Sequence, residues 1–278
     1  MSNDLVNGSD GNDVIDAGDG NDTVIAGAGD DVIYQKNAGS DTVDGGEGTD
    51  RLVLDYSGEN GNYYGVGIRV YYYDAAGNYL DTSKVGLEKA VPANTTQWGY
   101  YSDNYGVTYR GIEQFDITGT RFPDLLVGGA RADVLRGGGG SDVIDGGGGA
   151  DTLEGGDGDD IFRAGTNPQQ IDGGAGTDRL ALDLSGFGDD LVWVNDPSQT
   201  VTLANGLTVS GIEGLTLTTG AGNDELRNTQ VVTNDTFSSG DGNDVIDAGG
   251  GNDVVNAGAG DDVIYQKNAG SDTVDGGE

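Results

Sequence analysis

The 278-residue chain has no cysteine and no histidine. These absences exclude thiol redox chemistry, Cys/His zinc centres and a Ser-His-Asp hydrolase within this sequence. Neither HExxH nor GxSxG occurs, so no enzymatic activity is expected of it. Positive charge is also scarce: 13 Lys and Arg stand against 48 Asp and Glu, a formal net charge of −35. Nucleic acid and anionic membranes are recognised by basic patches, so neither is an expected partner. No run of about 18 apolar residues exists, so no membrane insertion is predicted. The N-terminus, Met1-Ser2-Asn3-Asp4, is polar and does not read as a cleavable signal peptide. Helix signals are weak throughout, because Gly and β-branched residues dominate.

What the chain does have is glycine, 54 residues of it, and repetition. Residues 26–47 read AGAGDDVIYQKNAGSDTVDGGE, and residues 257–278 repeat them letter for letter, 231 positions later. A shorter beat lies inside. The pattern G-G-x-G-x-D-x-U-x, with U a large apolar residue, fits 45–53, 137–145, 146–154, 155–163 and 173–181 completely. Looser copies run through 8–34 and 240–265. Two nested periods mean a solenoid, and the end at Glu278, the counterpart of Glu47, falls mid-repeat, as in a piece of a longer array.

Three motif blocks and two insertions follow. Block 1 spans residues 4–55, with Asp4, Asp13, Asp22, Asp31, Asp41 and Asp50 in the acidic slot. Block 2 spans 119–184, with Asp124, Asp133, Asp142, Asp151, Asp160 and Asp178, and with Gln169 where an Asp is missing. Block 3 spans 218–278, with Asp224, Asp244, Asp253, Asp262 and Asp272, and a degenerate copy at Asp235. The insertions cover 56–118 and 185–217. They begin alike (GTDRLVLDYSG, GTDRLALDLSG) and end alike (GVTYRGIEQFDITG, GLTVSGIEGLTLTTG). Alternation such as Ile68-Arg69-Val70-Tyr71 predicts strands in them.

Each nonapeptide implies a local structure. Its Gly-rich hexad turns sharply, and its last three residues form a short strand with U inward. Two nonapeptides complete a coil, so residues eighteen apart stack. The predicted inward set runs Ile15, Val24, Ile33, Val43, Leu52, Leu135, Ile144, Leu153, Phe162, Leu180, Leu226, Ile246, Val255, Ile264 and Val274. One such side chain per nine ordered residues makes a thin core, and the stacked carboxylates repel. A hard dication between Asp(n) and Asp(n+18) reverses that repulsion. Calcium suits the donors, since it takes carboxylates and backbone carbonyls in loose geometry. The expected pairs are Asp13–Asp31, Asp31–Asp50, Asp22–Asp41, Asp133–Asp151, Asp142–Asp160, Asp160–Asp178, Asp244–Asp262 and Asp253–Asp272. At two carboxylates per shared site, roughly ten calcium ions are expected.

These nonapeptides resemble the RTX family, the hemolysin-type calcium-binding repeat. The resemblance implies an all-β, right-handed parallel β-roll (β-solenoid), here with two β-rich insertions. It also implies type I secretion, folding triggered by calcium outside the cell, and a secreted or cell-surface location. The expected role is a structural segment of an adhesin or surface-layer protein, with calcium and neighbouring repeats as partners. Two alternatives stand beside it. One is the non-catalytic tail of a secreted protease or lipase. The other is a carbohydrate-binding module using the aromatic residues of the first insertion (Tyr63, Tyr64, Tyr71, Tyr72, Tyr73, Tyr79, Trp98, Tyr100, Tyr101, Tyr105 and Tyr109) on a cell-surface glycan. Cross-strand aromatic packing is the plainer account of those rings. Asp19, Asp30, Asp157, Asp241 and Asp261 read as a solvated acidic face, and Arg51 and Arg179 as caps on a calcium stack.

Overall fold

The computed structural model describes residues 2–36, 39–58, 68–70, 72–73, 79–80, 98–100, 106–167, 169–229, 231–266 and 270–277. Every regular element among them is a β-strand. No helix among the described residues is long and apolar enough to cross a membrane. The fold is all-β, a solenoid of stacked parallel strands, and the chain forms two compact units, Met1–Thr152 and Leu153–Glu278.

In the first unit, Leu5–Asn7, Thr23–Ala28, Ser40–Glu47 and Gly106–Arg110 stack in parallel. Their register aligns Val6, Val24, Val43 and Tyr109. A second parallel sheet joins Val14–Asp16, Val32–Lys36, Arg51–Asp55, Gln114–Thr118 and Val134–Gly139. It aligns Ile15, Ile33, Leu52 and Phe115, then Ile117 with Leu135. The sheets share a core, where the Tyr109 ring meets Phe115 edge-on at 5.3 Å. The first insertion adds antiparallel strands: Trp98–Tyr100 lies between Gly106–Arg110 and Ile68–Val70, and Tyr72–Tyr73 pairs with Tyr79–Leu80. Of its aromatic residues, Tyr63, Tyr64, Tyr71, Tyr101 and Tyr105 lie outside the described residues.

In the second unit, Ile161–Ala164, Arg179–Asp183, Gly214–Thr218, Thr236–Ser238, Val254–Asn256 and Thr273–Asp275 form one parallel stack. Val192–Val194, Glu225–Arg227, Val245–Asp247 and Val263–Tyr265 form another, aligning Trp193, Leu226, Ile246 and Ile264. The strand Val192–Val194 lies within residues 185–217, expected from the sequence to be an insertion, and it supplies a rung of the roll. Trp193 stands where a nonapeptide would place U, and it is fully buried.

The predicted inward residues are buried from Ile15 to Val255. Ile264 and Val274 depart from the expectation. Ile264 is half-buried and Val274 is 41% exposed. Each sits on a terminal strand of its sheet, with a neighbour on one side only among the described residues.

Candidate metal sites

The nonapeptide turn determines where each acidic side chain goes. Its Asp precedes the strand by one residue, so the strand register also stacks the aspartates. The backbone N–H of Asp13 donates to Asp31 Oδ1 at 2.8 Å, and that of Asp31 to Asp50 Oδ1 at 3.0 Å. The same bond joins Asp22 to Asp41, Asp133 to Asp151, Asp160 to Asp178, Asp244 to Asp262, and Asp253 to Asp272. It also joins Asp4 to Asp22, Asp124 to Asp142, Asp224 to Asp244, and Asp235 to Asp253. Asp235, in its degenerate copy, is thus a full member of the ladder.

Asp13, Asp262 and Asp272 are half-buried; Asp22, Asp31, Asp41, Asp50, Asp124, Asp133, Asp142, Asp151, Asp160, Asp178, Asp224, Asp244 and Asp253 are buried. The ladder uses one carboxylate oxygen. The other, Oδ2, is buried without a hydrogen-bond partner in Asp22, Asp31, Asp50, Asp151, Asp178, Asp224 and Asp262. Such an oxygen loses its water and receives nothing in exchange. In Asp13, Asp124 and Asp133 the turn itself supplies a donor: Ser9, Thr120 and Gly129 N–H groups each bond Oδ2 at 2.6 Å.

The energetic consequence shows in the acidities. Burial pushes the Asp151 carboxyl up to about 7, and those of Asp50, Asp133 and Asp178 up to about 6. Burial raises Asp41, Asp235 and Asp253 as well. At Asp50 the charges of Asp31 and Glu113 add to it. Burial thus disfavours the anion at each of these positions, and a positive charge beside it would offset that cost.

Glycine leaves room for one. A Cβ on Gly128 would stand 2.5 Å from both Asp133 Oδ2 and Gly146 O. On Gly119 it would stand 2.5 Å from Asp124 Oδ2 and collide with Gly137 O. The first Gly of the repeat therefore opens a niche between its own turn's carboxylate and a carbonyl of the next coil. No three acidic side chains converge among the described residues. The donors offered here to a cation are a mixed set, carboxylate plus Gly-turn carbonyls. Hard oxygen donors of this kind suit calcium better than softer metals.

A second ladder runs beside the first, in the opposite sense. Where an Asn or Asp precedes the ladder Asp, its side-chain oxygen accepts an N–H from the following coil. Asn21 accepts from Ser40, Asp30 from Thr49, Asp159 from Thr177, and Asn243 from Asp261. Asp30 is therefore a bonded rung and not merely a solvated charge, although it is exposed. Arg51 and Arg179 do not follow the expectation of capping a stack. Arg51 and Arg136 both bind Asp116, at 2.6 and 2.8 Å, and Arg179 donates to the Asn234 carbonyl at 2.6 Å. Outward-facing strand positions aim these cations along the sheet surface. Gln169, in the missing acidic slot, is buried with neither amide atom partnered.

Two further acids enter the inner ladder. Glu113 Oε2 accepts the Asp50 N–H at 2.9 Å, and Glu213 Oε2 accepts the Asp178 N–H at 2.8 Å. Both close an insertion, in the shared Gly-Ile-Glu, which was the visible signal for them.

Residues 2–33, 37–55, 118–153, 141–168, 154–184 and 232–264 match the family described as the RTX calcium-binding nonapeptide repeat (4 copies). These spans cover more than half of the chain, and the chain belongs to this family. The extracellular lipase LipA from Serratia marcescens is similar at 22% identity, with a TM-score of 0.19. The likeness covers 76% of this chain and 38% of the lipase chain. The chain matches no curated protein sequence.

Proposed function

We propose that this calcium-binding repeat segment is a structural module of a larger secreted or cell-surface protein of the adhesin or surface-layer type. The observation that carries the reading is the inner ladder: buried carboxylates with one oxygen accepting an N–H, and at Asp50, Asp151 and Asp178 the second oxygen unpartnered beside a glycine (Gly45, Gly146 and Gly173). Ordinary globular cores do not accumulate such groups, because each costs about 1–3 kcal/mol uncompensated. Bound calcium supplies the missing charge. Binding to the folded form alone then stabilises it by RT ln(1 + [L]/Kd) per site.

The acidic slot from Asp13 to Asp272 holds the metal, roughly ten ions at two carboxylates each. Residues 4–55, 119–184 and 218–278 are the metal-bearing blocks, and 56–118 and 185–217 are insertions. Low calcium keeps the chain unfolded and exportable by a type I route, and higher calcium outside the cell folds it. The duplication of 26–47 at 257–278 favours an array over a single enzyme tail. The segment is read as non-catalytic, with neighbouring repeats as its partners.

Circular dichroism of the whole chain tests the coupling. Chelator should give a coil spectrum, and calcium should restore β-structure. A β-spectrum unchanged by chelator rejects the reading.

A further inference from the structure

The two insertions differ in length and lie in different units, yet each returns to the roll through the same three residues, Gly111-Ile112-Glu113 and Gly211-Ile212-Glu213. Gly111 and Gly211 take left-handed φ values of 59° and 62°. Pairing of Arg51 with Gln114, and of Arg179 with Gly214, sets Glu113 opposite Asp50 and Glu213 opposite Asp178. Each glutamate then accepts the amide that an Asp Oδ1 accepts elsewhere.

Two residues later the next coil takes over. The Phe115 N–H donates to Asp133 Oδ1 at 2.7 Å, and the Leu215 N–H to Asp235 Oδ1 at 2.8 Å. A slip of two residues keeps the same face inward, because strand side chains alternate. Phe115, Ile117, Leu215 and Leu217 are all buried accordingly. One splice is used twice.

The splice also faces an orphan. Asp50 and Asp178 are fully buried, and the Oδ2 of each has no hydrogen-bond partner. A Cβ on Gly45 would lie 2.5 Å from Asp50 Oδ2 and would collide with Gly111 O. A Cβ on Gly173 would lie 2.6 Å from Asp178 Oδ2 and would collide with Gly211 O. The carbonyl flanking each orphaned oxygen thus comes from the Gly-Ile-Glu segment itself.

We propose that Gly-Ile-Glu is a cation-dependent mount, in which Glu113 with Asp50 and the Gly111 carbonyl, and Glu213 with Asp178 and the Gly211 carbonyl, each hold one calcium ion at the root of an insertion. This rests on the calcium-binding reading above and extends it to residues outside the nonapeptide pattern. Two carboxylates and a carbonyl are hard donors, the set calcium takes. The longer glutamate carries charge into a slot where the re-entering backbone follows a different turn.

The test counts ions on the whole chain by native mass spectrometry across a calcium titration, comparing wild type with Glu113→Gln, Glu213→Gln and the exposed control Asp19→Asn. Glutamine keeps an acceptor for the Asp50 or Asp178 amide but removes the charge. Each glutamine variant should carry one ion fewer than wild type, or bind one ion about tenfold or more weakly. The control should be unchanged. Hydrogen exchange adds a local readout: Glu113→Gln should speed exchange at the Asp50 amide and leave Asp178 protected. Wild-type stoichiometry and affinity in both glutamine variants overturn the proposal. Should a glutamine variant not fold, Glu113→Asp keeps the charge one methylene short, and unaltered binding in it overturns the proposal equally. A wild-type chain that binds no calcium overturns the function proposed above, a result distinct from either.

Discussion

The Asp22 N–H donates to Asp41 Oδ1 at 2.8 Å, while the adjacent Asn21 Oδ1 accepts the Ser40 N–H at 2.8 Å. Neighbouring side chains thus tie the same two coils in opposite senses, one reaching back and one reaching forward. The inner tie is buried and the outer one exposed. Their removal should therefore differ in cost. Asp41→Ala leaves a buried amide unsatisfied, at about 1–3 kcal/mol, whereas Asn21→Ala exposes an amide to water, at about 0.5–1.5 kcal/mol. Urea unfolding in saturating calcium measures both. Equal losses would contradict the assignment of inner and outer ladders.

The acidities predict how the metal-free chain responds to pH. The folded-state values of Asp151, at about 7, and of Asp50, Asp133 and Asp178, at about 6, lie above the ordinary carboxylate value of 3.8. Folding therefore binds protons in this window. Stability from these groups is fully present below about pH 4 and is lost as pH rises through 6 to 7. Metal-free protein brought from pH 7.5 to about 4.5 should gain β-signal by circular dichroism. In calcium the same acidification should release ions, since protons and metal compete for the same oxygens. A metal-free chain whose β-signal does not rise on mild acidification would refute the burial argument.

Much of this was legible in the sequence because the period is rigid. A nine-residue beat fixes strand phase, so the buried set from Ile15 to Val255 could be written down from spacing alone. The acidic pairs followed from the same count. The outer ladder was not legible, because an Asn or Asp beside a turn looks the same solvated or bonded, as at Asp30. Glu113 lies 63 residues from Asp50 and off the nonapeptide pattern, so the period does not reach it and only the repeated Gly-Ile-Glu marks it. Trp193 was hidden by the loss of its motif. Leu191 occupies the acidic slot there and still donates its N–H to Asp224 Oδ1 at 2.8 Å. Backbone register survived where the side chain that announces it did not.

Glycine substitutions separate space from backbone strain. Gly18 has a φ of 84° and open space around its missing Cβ, whereas Gly45 has no left-handed φ but borders Gly111 O and Asp50 Oδ2. Gly18→Ala should cost roughly 1–2 kcal/mol through backbone strain alone. It should leave calcium affinity unchanged. Gly45→Ala fills the niche, so it should both destabilise by about 1–3 kcal/mol through overpacking and weaken calcium binding. Calorimetric titration and denaturant unfolding on the two variants check the contrast. Equal calcium affinity in both would show that the niche is not where the metal is held.

Trp193 offers a test of whether the second insertion is part of the roll or an appendage. It is fully buried against the Leu226 rung, and its indole Nε1 has no hydrogen-bond partner. An appended loop would tolerate its loss, whereas a rung would not. Trp193→Ala should cost about 3–5 kcal/mol, the range for large aromatic truncations in packed cores. Trp193→Phe keeps most of the ring and removes a buried donor that nothing accepts, so its cost should be much smaller. The chain has two tryptophans. A Trp98→Phe background therefore isolates the Trp193 emission, which should shift to the blue as calcium is added and return to the red with chelator. If that emission ignores calcium while the β-signal responds, the insertion folds separately from the coils it stacks on.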